Sequence, residues 1–243
     1  MAKIAILGAT GTIGSALALR LVEQQHELLL LGRDPEKLAR LSTALGQPWV
    51  AVELSTSQGL VDALERAAAS GGFDGIVNCI GSLLLKPASA TTDEEFRQVI
   101  ETNLFTAFAT VRAGAKLLRE RGGAIVLFAS AAAQVGISNH EAIAAAKAGV
   151  IGLARSAAAT YAPQGIRVNV VSPGLIRTEM TRRIWSNSAA AAASTELHAL
   201  GRLGEPQEVA SLAAWLLDPA NAWITGQVIG IDGGLSSVLP KRR

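Results

Sequence analysis

The sequence of 243 residues contains a single cysteine, Cys79. One thiol cannot close an internal disulfide or build a cysteine metal cluster, and such scarcity suits a reducing compartment. No basic block is present apart from Lys241, Arg242 and Arg243, and 22 basic against 20 acidic residues leave a formal net charge of +2. So even a spread argues against nucleic acid as a partner, and the short basic end reads as a solvated tail. No uninterrupted apolar run approaches the roughly 18 residues of a membrane span, so no membrane partner is expected. The mean hydropathy is nevertheless positive, which alanine-rich buried helices explain. Met1 to Leu7 run directly into a strand-like stretch without the regions of a signal peptide, so a cytoplasmic protein is expected. Without a long linker, internal repeat or composition break, residues 1–243 are expected to form one domain.

With 49% hydrophobic and 17% charged residues, the chain can bury one large α/β core. Short β-branched or leucine runs recur at Lys3 to Leu7, Glu27 to Leu31, Trp49 to Glu53, Gly75 to Asn78, Ala124 to Phe128, Arg167 to Val171 and Gln227 to Ile231. Helical patterns separate them. Continuously apolar strands alternating with helices predict a doubly wound, seven-stranded parallel sheet with helices on both faces. The only low-complexity run, Ala189 to Ala193, reads as helix within a segment 178–200. That segment is expected either to cover a cleft as a mobile lid or to pack as a surface helix.

The first strand ends in Gly8-Ala9-Thr10-Gly11-Thr12-Ile13-Gly14, and a helix is expected from Ser15 to Glu23. Glycines at a strand-to-helix turn allow a tight bend and close approach of a pyrophosphate to free N–H groups at the helix N-terminus. The alternative is a plain structural turn. Placement after the first strand favours a dinucleotide-binding, Rossmann-type unit. The second strand ends in Gly32-Arg33, where a residue pairing with the ribose of NAD would be acidic. Arg33 can instead meet a 2′-phosphate, which favours NADP(H) over NAD(H). Alternatively, Arg33 pairs with Asp34 or Glu36.

With these motifs placed, the whole chain resembles the short-chain dehydrogenase/reductase family, most closely its 3-oxoacyl-carrier-protein reductase branch. Asn78-Cys79-Ile80-Gly81 resembles the N-N-A-G motif of that family, and Thr102-Asn103-Leu104 its helix asparagine. Pro173-Gly174-Leu175-Ile176-Arg177-Thr178 resembles P-G-x-x-x-T, which by resemblance holds the nicotinamide carboxamide. Two departures are visible. Thr12 stands where a glycine is frequent, and Glu53, followed by Leu54, replaces an aspartate that faces adenine. The closing segment, Gly201 to Pro206, Ile224 to Gln227 and Asp232 to Gly234, resembles one that commonly builds a tetramer, so the resemblance implies a homotetramer or a mixed tetramer with a paralogue.

By the same resemblance, catalysis uses Asn103, Ser130 and Lys147 with a tyrosine four residues before the lysine, where this chain has Ile143. The only tyrosine, Tyr161, lies 14 residues beyond Lys147, across an expected helix end near Pro163. Two other proton donors are conceivable. Lys147 could act with a pKa lowered by burial. His140 lies seven residues before Lys147, where enoyl reductases of the family carry their tyrosine, and histidine as a residue type titrates near neutral pH. Ser138 and Glu141 predict a capping box that puts His140 in the first turn, roughly 10 Å along the helix from Lys147. The competing view is a passive surface histidine.

The expected function is therefore NADP(H)-dependent hydride transfer to a carbonyl or activated C=C of an apolar small molecule. Ser130, Ala131, Gln134, His140, Ile143 and the segment after Thr178 are expected on the substrate side. The alternative, motivated by Ile143, is a nucleotide-binding sensor or a non-catalytic subunit. A third reading, loss of nucleotide binding, conflicts with the retained glycines and Thr178.

Overall fold

The computed structural model describes residues 1–52, 57–68 and 72–239. Glu53 and Leu54, expected at the adenine end of the cofactor site, and the basic residues Lys241, Arg242 and Arg243 lie outside the described residues.

The described elements are, in order, β1 (Lys3–Leu7), α1 (Thr12–Glu23), β2 (Glu27–Gly32), α2 (Pro35–Leu45), β3 (Trp49–Ala51), α3 (Ser57–Ala68) and β4 (Gly75–Asn78). Then come α4 (Asp93–Ile100), α5 (Thr106–Leu117), β5 (Gly123–Phe128), α6 (Glu141–Tyr161), β6 (Ile166–Pro173), α7 (Arg182–Trp185), α8 (Ser188–Leu197), α9 (Pro206–Leu217) and β7 (Val228–Ile231). The seven strands pair in parallel in the order β3-β2-β1-β4-β5-β6-β7. The expected doubly wound sheet is therefore present.

Alternation along each strand explains both hydrophobic layers. On β1, Ala5 and Leu7 join Leu60, Leu64, Val111 and Val150 from α3, α5 and α6. Ile4 and Ile6 point the other way, to Leu17, Leu38, Val209 and Leu216 from α1, α2 and α9. A strand covered on both faces has no polar side, which is why these runs read as continuously apolar. Helix α6 with its following turn, Glu141–Gln164, has the length and apolarity of a membrane-crossing helix. Its inner side is buried within the fold, where Val150, Ile151 and Ala154 pack into the first layer.

The strand order reverses between β1's two neighbours, β2 and β4. Crossovers leave there to opposite faces, opening a crevice beyond the carboxyl ends of the strands. Helix α1 begins three residues before the expected Ser15, at Thr12. The glycine turn therefore enters the helix directly. The segment 178–200 contains α7 and the alanine-rich α8, none of whose residues is buried.

Candidate active site

At the crevice, Gly8 has φ +74°, a left-handed conformation that L side chains rarely adopt. Its carbonyl accepts from Gly11 N at 3.0 Å, and a Cβ on Gly14 would lie 2.3 Å from that same oxygen. The turn thus closes only with both glycines. Adjacent strands anchor it, through Ala9 N to Leu31 O at 3.0 Å and Cys79 N to Leu7 O at 2.9 Å. No side chain caps α1, so its first-turn N–H groups and helix dipole face the cleft ready for an anion.

Arg33 is exposed at the end of β2 and, among the described residues, forms no ion pair. The alternative pairing with Asp34 or Glu36 is not found. Asp34 caps α2 by accepting from Glu36 N and Lys37 N, and it pairs with Lys37. Glu36 pairs with Arg40 at 3.3 Å. Thr10 stands beside Gly32, its hydroxyl 3.5 Å from where a Cβ would be.

One cavity of about 470 Å³ runs from the glycine turn to the segment 178–200. Gly11, Thr12, Ile13 and Gly14 line one end; Gly81, Asn103, Ser130, His140, Ile143 and Lys147 line the middle; Pro173, Gly174, Ile176 and Thr178 close it. Segments far apart in sequence thus meet in one cavity. Asn78 does not line the cavity. Its amide donates to Thr106 Oγ1 at 3.2 Å and its oxygen accepts from Ile80 N at 2.9 Å, tying the end of β4 to α5.

Asn103 sits in a turn of π-helix, Glu101–Phe105, between α4 and α5. The extra residue in that turn directs the side chain inward, and such turns recur at functional sites. Its Oδ1 accepts from Ser82 N at 3.2 Å, and its Nδ2 donates to Ser82 Oγ and Val99 O, both at 2.9 Å. Neither the π turn nor Ser82 was foreseen. A five-residue hydrogen-bonded turn has no hydrophobic period of its own, although Ser82 directly follows the recognised loop.

Lys147 is 7% exposed, and its Nζ donates to Phe128 O at 2.9 Å. Burial lowers its pKa from 10.5 to about 8, partly opposed by Cys79. Burial in turn pushes the Cys79 thiol up to about 12, leaving it neutral. Ser130 Oγ accepts from Ala132 N at 3.2 Å. Gln134 donates to the buried Ser172 at 2.7 Å.

The predicted Ser138–Glu141 capping box is not formed. Helix α6 starts at Glu141 with His140 as its N-cap, because Asn139 takes a left-handed turn (φ +61°) and its carbonyl accepts from Lys86 N at 2.8 Å. That cross-chain contact places the helix start. His140 Nδ1 lies 2.8 Å from Ser138 O, so it carries the proton, leaving Nε2 free of that bond. Ile143 is 3% exposed, packed with Val99, Ala142 and Ala146. Tyr161 ends α6 about 21 Å along the axis from Lys147, packed against the other core.

Three contacts went unforeseen. Thr12 Oγ1 accepts from Glu179 N at 3.2 Å, joining the glycine turn to the segment 178–200. Thr178, buried, bonds Thr181 through its hydroxyl at 3.0 Å, and its carbonyl accepts from Trp185 Nε1 at 2.8 Å.

An enoyl-(acyl carrier protein) reductase family profile matches residues 8–236. The chain is 32% identical over 243 residues to the 3-oxoacyl-acyl-carrier-protein reductase FabG of Vibrio harveyi, covering 97% of this chain and 98% of that one. The chain belongs to the short-chain dehydrogenase/reductase family. A short-chain type dehydrogenase/reductase from Mycobacterium ulcerans superposes with a TM-score of 0.93 at 27% identity, over 97% of this chain and 90% of that one. ElxO with NADP bound superposes with a TM-score of 0.92 at 26% identity, over 98% and 100%. As a short-chain dehydrogenase/reductase, the chain is an oxidoreductase by family, and the family takes a nicotinamide cofactor. The residues present fit such a group: the Gly8–Gly14 cradle is a space that a Cβ would fill, and the cavity continues from it to Lys147 and Thr178.

Proposed function

We propose that this chain is an NADP(H)-dependent reductase of a carbonyl or activated C=C in an apolar small molecule, working without the tyrosine for which Ile143 stands. The observation that carries this reading is the single cavity shared by the glycine turn, Asn103, Ser130 and Lys147. The N–H groups of Thr12, Ile13 and Gly14 would hold the pyrophosphate, and unpaired Arg33 a 2′-phosphate. Pro173, Gly174, Ile176 and Thr178 would border the nicotinamide. When bound, the cofactor supplies the hydride for the electrophilic carbon.

The chain itself must supply the proton. Lys147, at about 8, exchanges a proton near neutral pH at Nζ. His140 is the second donor: with Nδ1–H committed to Ser138 O, Nε2 passes a proton to a substrate only from the doubly protonated ring. Ser130 and Asn103 order the substrate and water. Ile143, Ile184 and Leu197 form an apolar wall, which supports an apolar substrate. Met180 and Leu197, half exposed yet lining the cavity, support a lid over 178–200. Exposed Phe96, Phe105 and Phe108 support assembly of copies as a homotetramer.

Fluorescence titration with NADPH and NADH tests the cofactor, and NADPH oxidation with a ketone, an acyl thioester and an enone tests turnover. Tighter NADPH binding, lost in Arg33→Ala, and consumption with one substrate class are expected; no binding of either nucleotide overturns the reading. A second reading rests on Ile143 being packed in an apolar cluster rather than facing a polar gap. On it the chain binds nucleotide without turnover, as a sensor or as a subunit beside a tyrosine-bearing paralogue. Co-purification of such a paralogue supports this version, and turnover by the homogeneous protein ends it.

A further inference from the structure

His198, which follows α8 and carries no motif, is 4% exposed with both ring nitrogens engaged. Nε2 accepts from Leu175 N at 3.1 Å, and Nδ1 lies 2.6 Å from Ser194 O. A carbonyl can only accept and an amide only donate, so the ring is the neutral Nδ1–H tautomer. The imidazole stands between the main cavity and a second one of about 370 Å³. It packs so closely on Gly174 that a Cβ there would lie 2.6 Å from Nε2, and on Gly233 so that a Cβ there would lie 3.6 Å from Cδ2. One ring thereby joins the end of the lid, the Gly174–Thr178 loop and the closing segment.

We propose that His198 is a positioning residue for the Gly174–Thr178 loop and that protonating its ring releases Leu175, making cofactor affinity fall in acid. An imidazolium has no lone pair at Nε2, so protonation turns an acceptor into a donor facing an N–H group. Buried groups that lose their only partner destabilise the arrangement that holds them.

Charged neighbours provide no substitute acceptor. Asp232, against Gly174, spends its carboxylate on Gly234 N at 2.9 Å, Ser236 N at 3.0 Å and the Ser236 hydroxyl. Arg202 and Glu208, which line the second cavity, pair with each other at 2.5 Å. Glu196, on the ring's own segment, and Glu179, on the lid, are exposed.

The consequence for affinity rests on the proposed cofactor site, whereas release of the loop does not. The first measurement is therefore protection of the Leu175 amide against hydrogen exchange in cofactor-free protein, from about pH 8 to about pH 5, a range spanning ordinary histidine titration. Wild-type protection is expected to fall roughly tenfold, the equivalent of one ordinary hydrogen bond, while His198→Gln, with an amide oxygen that does not titrate there, stays level. Parallel profiles overturn the inference. Nitrogen chemical shifts of the wild-type ring need no variant: ring titration and loss of protection must share a midpoint, and separate midpoints also overturn it. NADPH titration over the same range should follow the amide in wild type and be flatter in His198→Gln. Failure to bind NADPH at any pH would reject the cofactor reading while the amide data still decide the role of His198.

Discussion

The two ends of the cleft are built on different principles. At the glycine turn, backbone shape makes the site: a left-handed Gly8, an absent Cβ at Gly14 and an uncapped helix start. At the Lys147 end, side chains make it: Asn103, Ser130, Ile143 and Lys147 line the cavity, and on the proposed reading Ile143 sets the available chemistry. A backbone-built site tolerates almost no added atom, whereas a site built from side chains can lose one function and keep its shape. The sharpest test of this contrast is Ile143→Tyr, at a position that lines the cavity and on the proposed reading stands for a tyrosine. We expect NADPH-linked ketone reduction to rise about 10² to 10⁴-fold, measured as steady-state NADPH oxidation. No gain would mean that the proton donor already resides at Lys147 or His140.

At the other end, Gly14→Val should weaken NADPH binding roughly 100-fold, because its Cβ meets the Gly8 carbonyl and the cradle must open by about 3 kcal/mol of lost interaction. Fluorescence titration reads this. Retained affinity would show that backbone shape is not what holds the anion.

Lys147→Met separates stability from function. The lysine's pKa is about 8 folded against 10.5 unfolded, so below about pH 8 the buried ammonium opposes folding by roughly 3 kcal/mol. Between those values the unfolded chain holds the proton that the folded one lacks, and stability rises with pH. Removing the amine also removes its bond to Phe128 O, worth about 1 kcal/mol. The variant should therefore gain about 2 kcal/mol at pH 7, and that advantage should vanish near pH 10.5 in paired denaturant melts. A constant difference across pH would contradict the burial argument.

The smallest effect is expected where the two ends touch. Thr12→Val keeps the shape but deletes the acceptor for Glu179 N, a loss of about 1 kcal/mol. Faster exchange of the Glu179 amide and a few-fold higher KM for substrate, with kcat little changed, should follow. Unchanged exchange would mean that the segment after Thr178 holds itself, through Thr178, Thr181 and Trp185.

What could be read in advance follows the same division. Strand positions and the glycine cradle were legible because each lies within a short local pattern whose spacing carries its geometry, whereas Asn103, Ser130 and Lys147 were picked out by family resemblance. The start of α6 was not: Ser138 and Glu141 satisfy a local capping rule, yet a contact from Lys86 to Asn139 prevails. The π turn around Asn103, the pairing of Ser82 with it and the engagement of both His198 nitrogens were likewise hidden, since their partners come from distant segments.

By itself, then, the sequence determined a seven-stranded parallel sheet and the glycine turn at the end of its first strand, because hydrophobic period and glycine placement act over a few residues. Only the tertiary structure decided that Arg33 forms no ion pair among the described residues, that Lys147 is buried enough to titrate near 8 and that Thr12 accepts from Glu179 N. Charge pairing, desolvation and cross-chain hydrogen bonds depend on which distant groups arrive within about 3 to 4 Å, and local spacing does not encode that.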